Sequence, residues 1–288
     1  MMTNHNAKVW FITGCSTGFG RALAEVVLKQ GDRLIATARK PEQLSELVNS
    51  FPDTAKAVRL DVTNRQEVDE AVNTALSTFG QIDVLVNNAG YGLLGAIEEV
   101  SDSEVRAQFE TNFFGALNVT QAVLTHMRSH HSGHILNISS VGGFSGFTGF
   151  GIYNATKFAL EGASEALAQE VAPFGIHVTI VEPGGFRTDW AGRSMVRSAC
   201  EIEDYAELSG QTRNWMDRED GNQVGDPARA ATAMIEVVNS SQPPLRLVLG
   251  ADALERIRGE LRSVAEELDR WEATSVNTAF SQTASFAV

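Results

Sequence analysis

The sequence predicts a doubly wound α/β domain, one parallel sheet with helices on both faces. Three observations predict it. Short runs rich in Val, Ile and Leu recur over the first half of the chain without strict alternation, as strands buried on both faces do. Segments of helical period separate them, which implies right-handed crossovers and a sheet covered on both sides. A glycine-rich turn directly follows the first run and opens the first helix, the arrangement of a dinucleotide-binding Rossmann unit.

The elements follow in order. Strands are expected over 9–13, 33–37, 57–60, 82–86, 134–138 and 177–181, with a last edge strand over 245–249 after Pro243 and Pro244. Helices are expected over 20–30, 42–49, 64–79, 101–130, 153–172 and 254–271. The helix at 101 starts at Ser101-Asp102-Ser103 followed by Glu104, a helix-start pattern. The stretch 184–226 breaks the rhythm and reads as a lid over a substrate. Residues 1–250 thus form one catalytic domain that includes this lid. Residues 251–288 form a charged amphipathic helix and a Ser/Thr/Ala-rich tail, expected to be loosely held beyond 273.

Composition excludes several classes. Of 288 residues, 43% are hydrophobic, enough for a real core and too many for a disordered chain. The net charge of -13 leaves no basic face for nucleic acid. The two cysteines, Cys15 and Cys200, make no disulfide framework. The N-terminal segment does not read as a secretory signal, and no apolar run is long enough for a membrane span. A cytoplasmic protein is therefore expected.

The turn after the first strand is Thr13-Gly14-Cys15-Ser16-Thr17-Gly18-Phe19-Gly20. Its glycines permit a tight turn and close approach to a pyrophosphate, and the helix N-terminus offers free N–H groups. Asp61-Val62 ends the third strand; Asp61 either accepts hydrogen bonds from an adenine amino group or caps the next helix. Asn87-Asn88-Ala89-Gly90 ends the fourth, at a carboxyl edge where ligands bind in such sheets, or is a polar turn. After the second strand stand Ala38 and Arg39, where an NAD-selective site usually has an acid. A guanidinium there grips a 2′-phosphate, so NADP(H) is the expected cofactor, with NAD(H) also possible.

Tyr153 and Lys157 lie four apart on one helix face. A tyrosine near pKa 10 is a poor base at neutral pH, and an adjacent ammonium is expected to lower it. The pair suits proton transfer at an alcohol oxygen. Ser140 ends the fifth strand and can orient that oxygen; local chemistry does not separate it from Ser139, but neighbouring strand residues point to opposite faces.

With TGCSTGFG, DV, NNAG, the Asn of TNFFG, the Ser of ISSVGG, YNATK and PGGFRT in order, the chain resembles the short-chain dehydrogenase/reductase family over residues 8–189. The resemblance implies a carbonyl/alcohol oxidoreductase with Ser140 rather than Ser139 as catalytic serine, Tyr153 as acid/base, and Lys157 on the nicotinamide ribose. It places Asn112 at a water of a proton relay. Gly14, Ser16, Thr17, Gly18, Phe19 and Gly20 become cofactor contacts, with Asp61 and Val62, with Asn88, Ala89 and Gly90, and with Pro183, Gly184, Phe186 and Thr188. Arg39 matches the basic position of NADP-preferring members. Thr17 departs from a second basic residue many of them carry, so the preference rests on Arg39.

The resemblance also implies a homodimer through the helices after the fourth and fifth strands. Ala155, Ala159, Gly162, Ala163 and Ala166 would permit close approach there. Phe144, Phe147, Phe150, Leu93, Leu94, Phe186, Trp190, Met195, Trp215 and Met216 are candidates to surround an apolar, bulky ketone, aldehyde or alcohol. The family's hydroxysteroid and retinol dehydrogenases lean the same way. Two rivals share the fold: an isomerase or dehydratase, and a non-catalytic dinucleotide sensor. His126, His130, His131 and His134 cluster, but this chemistry needs no metal, and histidines favour a helix C-terminus. No metal is expected. His177 is expected in or near the core.

Overall fold

The first strand, β1 (Val9–Ile12), shows why the sequence lacks alternation. Trp10 and Ile12 pack on one side of the sheet and Phe11 on the other, all fully buried. The computed structural model describes residues 7–280. After β1 come α1 (Gly18–Lys29), β2 (Arg33–Ala38), α2 (Ser45–Ser50), β3 (Ala55–Arg59), α3 (Arg65–Phe79) and β4 (Val84–Asn87). The middle of the chain forms β5 (Gly92–Leu94), α4 (Asp102–Phe109), α5 (Gly115–His130), β6 (Gly133–Ile138) and α6 (Gly151–Val171). The remainder forms β7 (Ile176–Pro183), β8 (Met195–Arg197), α7 (Gln211–Glu219), α8 (Pro227–Val238), β9 (Arg246–Leu249) and α9 (Ala251–Val276).

The main sheet has seven parallel strands in the order β3-β2-β1-β4-β6-β7-β9. Chain order reverses between β1 and β4, so a crevice opens at their carboxyl ends. One face carries α1 and α8, through Leu23, Val27, Ala231, Met234 and Ile235. The other carries α3 and α5, through Val68, Ala71, Val119, Val123 and Met127.

Every expected main-sheet strand and helix is present, with ends shifted by a few residues. Several differences are physical. The helix expected over 101–130 is broken by one π turn, Glu110–Phe114, between α4 and α5. α8 was not foreseen; Asp226 caps it by accepting from the Ala228 N–H at 2.8 Å, and Pro227 stands at its first position, a helix start hidden at the end of the irregular stretch. Strands β5 and β8 pair in a separate two-stranded sheet, each too short to carry a period. His177 is exposed, because the alternation of β7 turns it outward while Ile176 and Val178 enter the core. The helix expected to end at 271 continues to Val276, into the segment expected to be loosely held; the expected tail from 281 to 288 lies outside the described residues.

Candidate active site

The glycine turn is built as a cradle. Gly14 and Gly18 hold φ of 71° and 60°, a region that disfavours side chains. A Cβ on Gly20 would collide with the Gly14 carbonyl and the Asn88 amide, so α1 starts hard against the loop. Thr17 caps α1 with no side-chain hydrogen bond, and the first turn holds no acid, so its positive end stays unneutralised. Asn88 braces the loop: its Nδ2 donates to the carbonyls of Thr13 at 2.8 Å and Gly14 at 3.0 Å. The N–H groups of Asn88 and Ala89 both donate to Thr13 Oγ1 at 2.9 Å. Cys15 fills the turn as a buried thiol that burial pushes up to about 12.

Arg39 lies exposed at the end of β2, and its guanidinium has no hydrogen bond or ion pair among the described residues. Asp61 is not the helix cap: Asn64 caps α3, while Asp61 Oδ1 accepts from the Thr63 N–H and hydroxyl at 3.0 and 2.8 Å. Across the crevice, Phe186 packs on Phe19 with ring centroids 5.1 Å apart. The methyl side of Thr188 faces Gly18. The structure thus brings the glycine loop, Asn88–Gly90 and Pro183–Thr188 to one cleft, with Asp61 and Arg39 at the neighbouring strand ends.

Asn112 lies in the π turn. Its Oδ1 accepts from the Tyr91 N–H at 3.0 Å, and its Nδ2 donates to the Tyr91 carbonyl at 2.9 Å and to Thr156 Oγ1 at 3.2 Å. The side chain therefore positions the turn at Gly90 and Tyr91. Behind it a buried polar chain crosses the sheet, Asn87 to Thr120 and Asn137, and Asn137 to Ser164, each at 2.8 Å.

Tyr153 is 6% exposed and Lys157 7%. The Lys157 Nζ stands 5.7 Å from the Tyr153 ring centroid and donates to the Ile138 carbonyl at 2.7 Å. Ser140 accepts from the Gly142 N–H at 3.0 Å and hydrogen-bonds the phenol of Tyr153. Ser139 lies instead toward Glu161. The two serines thus divide as strand alternation requires.

The expected low phenol value is not found. Burial pushes Tyr153 up to about 12, and the Ser140 hydrogen bond only opposes it. The reason is geometric: Trp190 and Phe150 cover the ring, at 5.3 and 6.1 Å between centroids, while the ammonium turns to Ile138. Burial also lowers Lys157 to about 8, against the attraction of Glu161 one turn on. Glu161 is itself raised to about 7 by burial, beside Glu182. Arg246 bridges Glu161, Glu165 and Glu182, tying the edge strand to α6 and β7. Glu161 had a legible signal, its i+4 spacing from Lys157 on one face.

The apolar side chains divide. Leu94, Phe150, Tyr153, Ala191, Met195 and Met216 form one cluster, joined by Phe147 and Trp190. Phe144 lies under Arg246, Phe186 packs on the cofactor-cleft side, and Leu93 is buried outside this cluster. Trp215 is half exposed. An apolar groove of about 450 Å³, lined by Ile97, Phe147, Gly149, Gly151, Tyr205 and Leu208, abuts the first turn of α6 near Tyr153. The segment 184–226 is pinned to the body by a buried pair that sequence reading missed. Arg213 donates to Glu99 and to Ser198, both at 2.8 Å. Burial raises Glu99, but hydrogen bonds from Ile202, Ala96, Ser209 and Arg213 outweigh it and hold the carboxyl at about 2. The histidines divide too: His134 is buried against Thr179 and lowered to about 4 by burial, whereas His126 accepts from the Ile82 N–H. Among the described residues, no three His, Cys, Asp or Glu side chains gather as a metal site.

A nucleotide cleft and a Ser-Tyr-Lys group at the carboxyl edge of a doubly wound sheet define a dehydrogenase of this fold. The short chain dehydrogenase family model matches residues 8–197, and the chain belongs to that family as an oxidoreductase. Oxidoreductase BOA17 of Botryotinia fuckeliana is 42% identical over 94% of this chain and 99% of its own. The 3-ketodihydrosphingosine reductase of Bacteroides thetaiotaomicron is 40% identical over 84% and 88%. A short-chain dehydrogenase from Streptomyces avermitilis superposes with a TM-score of 0.89 at 47% identity, covering 95% of this chain and 100% of that one. ElxO with NADP bound gives 0.72 at 27% identity over 86% and 99%. Among the described residues no helix is long and apolar enough to cross a membrane.

Proposed function

We propose that this protein is an NADP(H)-dependent oxidoreductase that interconverts an apolar ketone or aldehyde with its alcohol. The observation that carries the reading is the buried Tyr153 phenol, hydrogen-bonded to Ser140 and roofed by Trp190 and Phe150. The nicotinamide, when bound, supplies or accepts the hydride. The residues of the chain do the rest. Gly14, Ser16, Thr17, Gly18, Phe19 and Gly20 hold the pyrophosphate side. Asp61, Val62, Asn88, Ala89 and Gly90 line the adenosine side, and Pro183, Gly184, Phe186 and Thr188 close the cleft. Arg39 takes a 2′-phosphate, the group that its free guanidinium fits.

Ser140 orients the substrate oxygen, and Tyr153 gives it a proton in reduction or takes one in oxidation. A phenol held near 12 is a protonated donor at neutral pH. Lys157 supports the phenolate once it forms, and Asn112 keeps the Tyr91 turn in place. The apolar groove and cluster receive a bulky apolar body. The relative named for reducing 3-ketodihydrosphingosine supports this substrate class. The homodimer implied by the family would use the exposed face of α6 at Ala155, Phe158, Gly162 and Ala166, with Phe114 beside it.

The test is a panel of apolar ketones, a polyol and a keto acid, followed by NADPH absorbance. Steady oxidation of NADPH fastest with bulky apolar ketones is expected. Turnover without net change in NADPH would favour the isomerase reading, and none at all the sensor reading.

A further inference from the structure

Helix α9 leaves the body of the protein. Ala253 and Ile257 are buried, but every residue from 261 to 280 is exposed, although the helix continues to Val276. An unsupported helix of this length is marginal in water. Its apolar residues are not scattered. Leu254, Ile257, Leu261, Val264, Leu268 and Trp271 alternate at spacings of three and four, the a and d positions of a heptad repeat. Ile257 of this seam meets the body. The four that follow stand 54%, 45%, 65% and 59% exposed, a continuous stripe with nothing among the described residues against it.

We propose that the projecting half of α9 pairs antiparallel with the same segment of a second copy of this chain. The self-complementary register is centred at Glu266. It sets Leu261 against the partner's Trp271 and Val264 against the partner's Leu268, so all four exposed seam residues of each copy are covered. Ala265 then meets its own copy near the axis, which permits close approach. On that flank Arg258 meets the partner's Glu272 twice over, and neither has a partner within the chain among the described residues. The other flank sets Glu267 near its own copy, a single like-charge contact. A register slipped by one heptad, centred between residues 262 and 263, brings Glu260 against Glu267 twice, and parallel pairing brings Glu267 against Glu272 twice, so charge selects the first arrangement. Length agrees with it. Val276, where the helix ends, falls opposite Arg256, which is held to the body by bonds to Ser145 and Gly146.

A membrane is the poorer occupant. The helix carries seven acidic residues against four arginines, and an anionic lipid surface repels that balance. The α6 face offered above for a homodimer is a different surface, so the two interfaces are separable.

Sedimentation equilibrium of the full chain and of Leu261→Glu/Leu268→Glu tests the pairing. Both altered side chains are exposed, and an unchanged near-UV circular dichroism spectrum with intact NADPH binding would certify the fold. The expected result is a particle mass halved in the variant. In a Cys200→Ser background, Ala265→Cys is expected to cross-link copies on oxidation, and Ala273→Cys, on the outer face, is not. Arg258→Glu should weaken the association about tenfold, and adding Glu272→Arg should restore it. A wild-type monomer, an unchanged mass in the variant, or equal cross-linking at 265 and 273 would each overturn the proposal. So would flotation of the wild type with phosphatidylcholine/phosphatidylglycerol vesicles that the variant loses while its mass stays the same.

Discussion

The indole of Trp190 lies 5.3 Å from the ring of Tyr153, centroid to centroid, and stacks at 5.7 Å on Phe150. Trp190 thus covers the Tyr153 phenol, the place where the proposed mechanism needs the substrate. Trp190→Ala should let water reach Tyr153, and its phenol should fall from about 12 toward 10, read as a tyrosinate absorbance titration missing from the same variant carrying Tyr153→Phe. kcat/KM should rise for bulky ketones and fall several-fold for small ones. An unchanged titration would show that Trp190 does not cover the phenol.

Tyr153→Phe should bind NADPH as the native protein does and lose turnover by about 10²–10⁴-fold, the worth of a placed proton donor. Retention of a tenth of the activity in a single-turnover assay would remove Tyr153 from the acid/base role.

Much of this site was legible before the structure because its motifs answer local constraints. Gly14 and Gly18 sit at left-handed φ, and Lys157 shares a helix turn with Tyr153. Strand alternation set Ser140 and Ser139 on opposite faces, and the family resemblance chose Ser140. What was not legible depends on contacts between distant residues. Glu99 and Arg213 meet across 114 positions, and Arg246 reaches Glu161 from 85 positions away. The turn of Lys157 away from the phenol depends on where the Ile138 carbonyl lies, so its proximity in sequence suggested the wrong direction of shift. Phe144 and Phe186 had the right chemistry but face other layers.

Cofactor preference should rest on Arg39. One charge-assisted hydrogen bond is worth about 1.5–3 kcal/mol, so Arg39→Asp should cut the NADP(H)-over-NAD(H) ratio of kcat/KM by roughly ten- to a hundred-fold. Equal use of both cofactors by the native protein would show that the guanidinium does not read the 2′-phosphate.

The Glu99 latch should govern the lid. Its carboxyl is held at about 2, below its ordinary 4.5, so the stability it gives is present above pH 4.5 and is lost as pH falls toward 2. Glu99→Ala leaves the buried Arg213 cation with the largely exposed Glu201, at 3.1 Å, as its remaining ionic partner, at a local cost of up to about 3 kcal/mol. Hydrogen exchange over residues 195–213 should speed up at neutral pH while the β1 and β4 amides stay protected. Uniform loss of protection would mean that the pair holds the whole fold rather than the lid.

Lys157 should reveal its burial through pH. Its folded value of about 8 lies below the ordinary 10.5, so between those values the unfolded chain binds the extra proton. The burial of the ammonium is therefore opposed at and below pH 8, and stability is gained as pH rises from 8 to 10.5. Lys157→Met removes that dependence and leaves the other groups in place. The native protein should gain about 3 kcal/mol on the variant across this interval, because each pKa unit is worth about 1.4 kcal/mol. Turnover should be lost in the variant at every pH, since nothing then supports the phenolate of Tyr153. Urea unfolding of both proteins at pH 8 and 10.5 measures the gain. Parallel stabilities would show that the ammonium stays hydrated in the folded protein.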